Sequence, residues 1–264
     1  MIKELKNISN EGLFYPDGVI IEQQYFKPNS DIHLYRYINS PLDVNKELNI
    51  VFVLPVKQGQ TYNFGDPLTN LKDSSFYTKE VKDNVIFIHP IFKNIPWYAN
   101  HPTDITIQQQ TDSKNFVTFI KNKYSNFLSL NVSMIGFSKS GWGALSLLMH
   151  QPTIADHVFI WDAPLGIDEL TFGYEMVPVF VNDAHFDTYD LNTRLPSEAV
   201  NLENKGIYIG GYHEFEVFSE LITDEFVNYP NIDYVLDDTL SFGHAWNIEW
   251  MESLFREVDF ILKS

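Results

Sequence analysis

The chain has 264 residues, no cysteine, and 35 acidic against 18 basic residues, a formal charge of −17. The missing thiols exclude disulfides, thiolate–zinc sites and a cysteine nucleophile, and so negative a surface disfavours nucleic acid and polyanionic substrates. No stretch approaches the ~20 apolar residues of a membrane span, and the opening MIKELKNISNEGLFYP lacks a signal-peptide core, so a cytoplasmic protein is expected.

The chain begins with β-like segments. Val19 to Phe26 and His33 to Ile38 are strand-like and flank the turn signal Lys27-Pro28-Asn29-Ser30-Asp31. Asn49 to Leu54 (NIVFVL) is near-continuously apolar, as suits a strand buried on both faces. Val85 to His89, Val132 to Ile135, His157 to Trp161, Gly206 to Ile209 and Ile232 to Leu236 repeat that type. Helices are expected over Ile107 to Lys123, Gly141 to His150, Phe215 to Tyr229 and Ala245 to Lys263. Strands alternating with helices after an antiparallel start predict a mostly parallel sheet covered on both faces. No linker or repeat divides the chain, so 1–264 reads as one domain. Residues 164–205 interrupt the alternation without clear periodicity and are expected to form a small lid insertion.

The most informative segment is Gly136-Phe137-Ser138-Lys139-Ser140-Gly141, between the strand ending at Ile135 and the following helix. A serine at the apex of a strand–turn–helix projects its Oγ from the sheet edge, beside the unpaired N–H groups of the helix start. Such a turn needs small residues two before and two after the serine, because strand and helix nearly touch. Gly136 and Ser140 satisfy this for Ser138, whereas Ser140 as nucleophile would put Trp142 at the second position. A phosphate loop is a poorer fit, since Trp142-Gly143 stands where Lys-Ser/Thr is required.

A serine hydroxyl needs a base within hydrogen-bond reach. His244, in Gly243-His244-Ala245-Trp246 after the last strand and before the C-terminal helix, is the best-placed histidine. A carboxylate must then orient the imidazole. Glu214, shortly after the strand Gly206 to Ile209, is preferred, with Glu216 and Asp162 as rivals. Trp97, Tyr98 and His101 follow the strand Val85 to His89 in a polar and aromatic loop, and are candidates for lining a substrate pocket. No His-Glu-x-x-His occurs, and no metal site is expected.

The order Ser138, Glu214, His244, with the serine in G-x-S-x-S-G and the histidine before the final helix, resembles the α/β-hydrolase superfamily over essentially the whole chain. The resemblance implies a three-layer α/β-hydrolase fold: a mostly parallel central sheet, antiparallel N-terminal strands and a small lid insertion. It implies an esterase-like serine hydrolase acting on a small-molecule ester through an acyl-enzyme on Ser138, without a cofactor. A thioesterase or acyltransferase would use the same triad, and a non-catalytic member of the fold would bind without turnover. The Lys139 N–H is the implied first oxyanion donor. The second normally comes from the loop after the third strand, here Leu54-Pro55-Val56-Lys57-Gln58-Gly59, which lacks the usual His-Gly. Pro55 has no N–H, so Val56 is the candidate and Lys57 the alternate.

Overall fold

The computed structural model describes residues 13–14, 20–27, 30–38, 42–56, 84–92, 97–166, 179–210 and 222–237. The strands are β1 (Leu13–Phe14), β2 (Ile20–Lys27), β3 (Ser30–Ile38), β4 (Leu48–Val53), β5 (Val85–Ile91), β6 (Leu130–Phe137), β7 (His157–Trp161), β8 (Gly206–Gly210) and β9 (Asp233–Asp237). They form a nine-stranded sheet in the order β1-β2-β3-β5-β4-β6-β7-β8-β9. β1 to β3 are antiparallel to their neighbours, while β5, β4, β6, β7, β8 and β9 run parallel. That is the expected mostly parallel sheet with an antiparallel start.

The apolar runs explain the centre of this sheet. β4 is buried at every position and β6 at every position after Asn131. A strand covered on both faces has no solvent side, so it carries aliphatic residues continuously rather than alternately. Pairing between β2 and β3 extends further than the turn signal suggested, reaching Lys27 opposite Ser30 past a register shift between Tyr25 and Lys27. β1 was not anticipated, since two residues carry no readable alternation.

The described helices include α1 (Gln109–Lys123), α2 (Lys139–His150), α3 (Asp183–Asp187) and α4 (Leu191–Glu198), the last followed by a 3₁₀ turn over Ala199–Leu202. α1 buries Phe116, Val117 and Ile120 on one side, and Lys121 and Lys123 in its last turn complement the helix dipole. α2 is buried from Lys139 to Met149. It rests on β6 and β7 and is covered outside by α4 and the 3₁₀ turn. An all-round buried helix must be apolar on all faces, and the run WGALSLLM meets that demand. α2 starts two residues earlier than the expected Gly141.

Of the segment 164–205, residues 164–166 and 179–205 are described. Leu191, Leu195 and Leu202 are fully buried in the main core, so the part from α4 onward belongs to the layer that covers α2. Asn182 and Asp190 cap α3 and α4 by accepting the His185 and Thr193 N–H groups. Of the helix expected over Phe215 to Tyr229, residues 222–226 are described and helical, whereas Ala245 to Lys263 lies outside the described residues.

Two expectations about stability follow from this packing. Gly143 sits inside α2, where alanine would ordinarily stabilise by roughly 0.5–1 kcal/mol, but its Cβ would lie 2.0 Å from the Tyr98 ring. Gly143→Ala is therefore expected to lose about 1–3 kcal/mol in urea unfolding. His150, at the end of α2, has its pKa lowered to about 4 by burial and by the Arg194 guanidinium, which is paired with Glu198. Because that value lies below the unfolded 6.5, the unfolded state binds the extra proton first and stability falls as pH drops from 6.5 towards 4. His150→Gln should flatten that part of the Tm–pH curve relative to wild type.

Candidate active site

β4 and β6 are neighbours in the sheet, yet the chain runs from β4 outward to β5 before returning to β6 on the other side. Such a reversal opens a crevice at the carboxyl ends of the two strands, where ligands bind in open α/β sheets. Ser138 and Val56 leave the sheet there. Val53 of β4 pairs with Ile135 of β6, so the two residues sit at matching positions past their strands.

Ser138 links β6 to α2 with φ 54° and ψ −131°. That conformation is costly for any residue with a Cβ, and close packing enforces it. A Cβ on Gly136 would fall 2.2 Å from the Ser140 carbonyl oxygen, and one on Gly141 would fall 2.5 Å from Ala163 Cβ. The Ser138 N–H donates to the Trp161 carbonyl at 2.9 Å, and the Gly141 N–H donates to the Ser138 carbonyl at 2.8 Å. Ser138 remains partly exposed at the turn, and Lys139 opens α2.

Ser140 has a different part. It is fully buried, its Oγ donates to the Phe137 carbonyl at 2.9 Å, and it accepts from the Phe137 N–H at 2.9 Å. The hydroxyl is thus spent closing the turn that presents Ser138, and a glycine there would lack these bonds.

At the end of β4, the Leu54 N–H donates to the Ile135 carbonyl at 2.9 Å and so belongs to the sheet. Pro55 offers no N–H. The first backbone donor past β4 that is not engaged with a described residue is that of Val56, which is partly exposed. Lys57 lies outside the described residues.

Asp162 leaves β7 beside this turn, fully buried, with φ 43° and its N–H donating to the Gly210 carbonyl. Its backbone is therefore engaged with β8. Glu214, Glu216 and His244 lie outside the described residues. The chain leaves β8 at Gly210 and β9 at Asp237, both parallel to β6, at the sheet edge where Ser138 stands.

The aromatic loop is placed differently from the expectation. Trp97 and Tyr98 have no accessible surface and belong to the core rather than to a pocket wall. Trp97 packs edge-on against Trp142 at 5.8 Å, and the Lys139 ammonium lies 4.8 Å from its ring centroid. Aromatic residues in a loop after a strand look like ligand contacts in sequence, but here the loop folds over α2. His101 is partly exposed, and its Nδ1 accepts the N–H groups of Asp104 at 2.7 Å and Thr103 at 3.2 Å. Gln109 carries a task that no sequence signal marks: its Oε1 accepts the N–H groups of both Trp97 and Tyr98.

Among the described residues, no group of three His, Asp or Glu side chains is placed to hold a metal, and no helix is long and apolar enough to cross a membrane. The strain at Ser138 is directly measurable. Ser138→Gly should stabilise the protein by about 1 kcal/mol in urea unfolding, because glycine accepts this backbone without cost.

No protein-family model matches the sequence, and no curated protein matches it. Solved structures do. An S-formylglutathione hydrolase from Agrobacterium tumefaciens superposes with a TM-score of 0.63 at 12% identity, over 97% of this chain and 96% of that one. Fluorophosphonate-binding serine hydrolase F of Staphylococcus aureus gives 0.64 at 12% identity, over 92% and 98%. Thermogutta terrifontis esterase 2 gives 0.56 at 12% identity, over 94% and 97%. With its mostly parallel sheet, its antiparallel start and its serine turn between β6 and α2, the chain has the α/β-hydrolase fold.

Proposed function

We propose that this protein is a serine hydrolase that cleaves a small carboxylic ester through an acyl-enzyme on Ser138. The observation that carries the proposal is the strained turn at Ser138, which follows β6 at the reversal between β4 and β6, with Val56 at the matching position past β4. Strain of this kind persists where the surroundings over-determine it, and it gathers at active sites. The similarity to hydrolases and an esterase supports the same reading.

In the proposed reaction, Ser138 Oγ attacks the ester carbonyl carbon while its proton passes to the imidazole of His244. Glu214 holds that imidazole in the required tautomer and stabilises its cation. The Lys139 and Val56 N–H groups take the negative charge that develops on the carbonyl oxygen, where each donor is worth roughly a hundred- to a thousandfold in rate. Collapse of the tetrahedral intermediate breaks the bond to the alcohol oxygen, which leaves with the proton from His244. Water then attacks the acyl-enzyme, giving its proton to His244, and the acid departs as Ser138 Oγ is reprotonated. No step calls for a cofactor. Trp97 and Tyr98 act behind the site, and His101 is proposed to contact substrate from its partly exposed turn.

A fluorophosphonate probe and a panel of short-chain p-nitrophenyl esters test this. Wild type should label stoichiometrically and turn over at least one ester. Ser138→Ala should abolish labelling, and His244→Ala should reduce kcat by at least about a thousandfold. Well-folded wild type that neither labels nor hydrolyses any ester would sink the proposal in favour of a non-catalytic binding protein of this fold.

A further inference from the structure

We propose that Tyr98 is a positioning residue for the oxyanion site, holding the Pro55–Val56 peptide unit against the helix that carries Ser138. This rests on the hydrolase reading above. The Tyr98 hydroxyl donates to the Pro55 carbonyl oxygen at 2.7 Å, in a fully buried setting. That oxygen and the Val56 N–H belong to the same planar trans peptide, so they point in opposite directions from one rigid plate. Fixing the carbonyl therefore fixes the direction of the N–H. Without the phenol, that plate is free to rotate about the bonds on either side of it.

Tyr98 is itself clamped more firmly than packing alone requires. Its ring lies on α2 at Gly143, close enough that a Cβ there would be 2.0 Å from Cδ2. Phe92 meets the ring edge-on at 5.5 Å. Its N–H and that of Trp97 share the Gln109 side-chain oxygen, at 3.0 and 2.9 Å. Its φ of 54° is an outlier for a bulky aromatic residue. Burial raises the phenol pKa well above its usual value, so the hydroxyl keeps its proton and remains a donor. Tyr98 thus joins two elements that must keep register: α2, which opens at Lys139, and the end of β4, which carries Val56. A phenylalanine would fill the same space but leave the peptide plate unheld.

The test is Tyr98→Phe, assayed on a p-nitrophenyl ester and on the matching thionoester, whose sulfur gains much less from N–H donors than oxygen does. In folded Tyr98→Phe, kcat on the oxygen ester should fall about 10- to 100-fold with KM within about threefold. The preference for oxygen ester over thionoester should shrink by a similar factor, which a general loss of packing would not produce. In a Val56→Pro background, which removes the N–H, adding Tyr98→Phe should cost nothing more. Labelled, folded Tyr98→Phe with wild-type kcat and ester preference, or full additivity in the double variant, overturns the proposal alone. Wild type that neither labels nor turns over overturns the hydrolase reading and this proposal with it. If Tyr98→Phe does not fold, Gln109→Leu leaves the phenol in place but releases the backbone behind it. It should shrink the ester preference in the same direction, and an unchanged preference overturns the proposal.

Discussion

The end of β6 and the first turn of α2 approach each other with almost no space between them, and the candidate site depends on that contact. Strand and helix meet so tightly that Gly136 faces the Ser140 carbonyl with no room for a Cβ. The chain reverses within a few residues, and in doing so gives Ser138 a positive φ. The strain is offset by the surroundings: the Ser140 hydroxyl closes the turn on Phe137, Ser138 is anchored to Trp161 of β7, and α2 is buried along nearly its whole length. A helix so enclosed cannot slide to relieve the turn. Presentation of the serine is thus a consequence of how the core is filled.

The second constraint is topological. Parallel strands deliver their C-terminal ends to one edge of the sheet, and the reversal of chain direction beside β4 opens a crevice there. Val56 and Ser138 are distant in sequence but reach that crevice from neighbouring strands. The layer behind it, built from Trp97, Tyr98, Trp142, Phe180 and Phe186, is aromatic and buried. Residues that a sequence reader would place in a pocket instead form the bedding on which the helix and the donor strand rest. This bedding is where the structure departs most from the sequence-based expectation.

Much of the fold was legible because its signals are local and strong. Continuous aliphatic runs can hardly be anything but strands covered on both faces, and each predicted run became one of the described strands. Boundaries were less legible: α2 begins at Lys139, two residues before the expected Gly141. α4 was missed, since its eight residues include a proline and carry only a short apolar stripe, Leu191 and Leu195, that matters once α2 is beneath it.

The site divides in the same way. The sequence by itself determined that Ser138, and not Ser140, stands at the apex, because the steric rule for the turn involves only residues two positions away on either side. It also showed that Val56 carries the first N–H after Leu54, because proline has none. Only the tertiary structure decided that Ser140 is a structural hydroxyl, that Trp97 and Tyr98 are core, and that the phenol of Tyr98 reaches the Pro55 carbonyl 43 residues away. The physical reason is range. Backbone sterics act between near neighbours and can be read along the chain, whereas burial and long-range hydrogen bonds exist only once the sheet has brought distant segments to one edge.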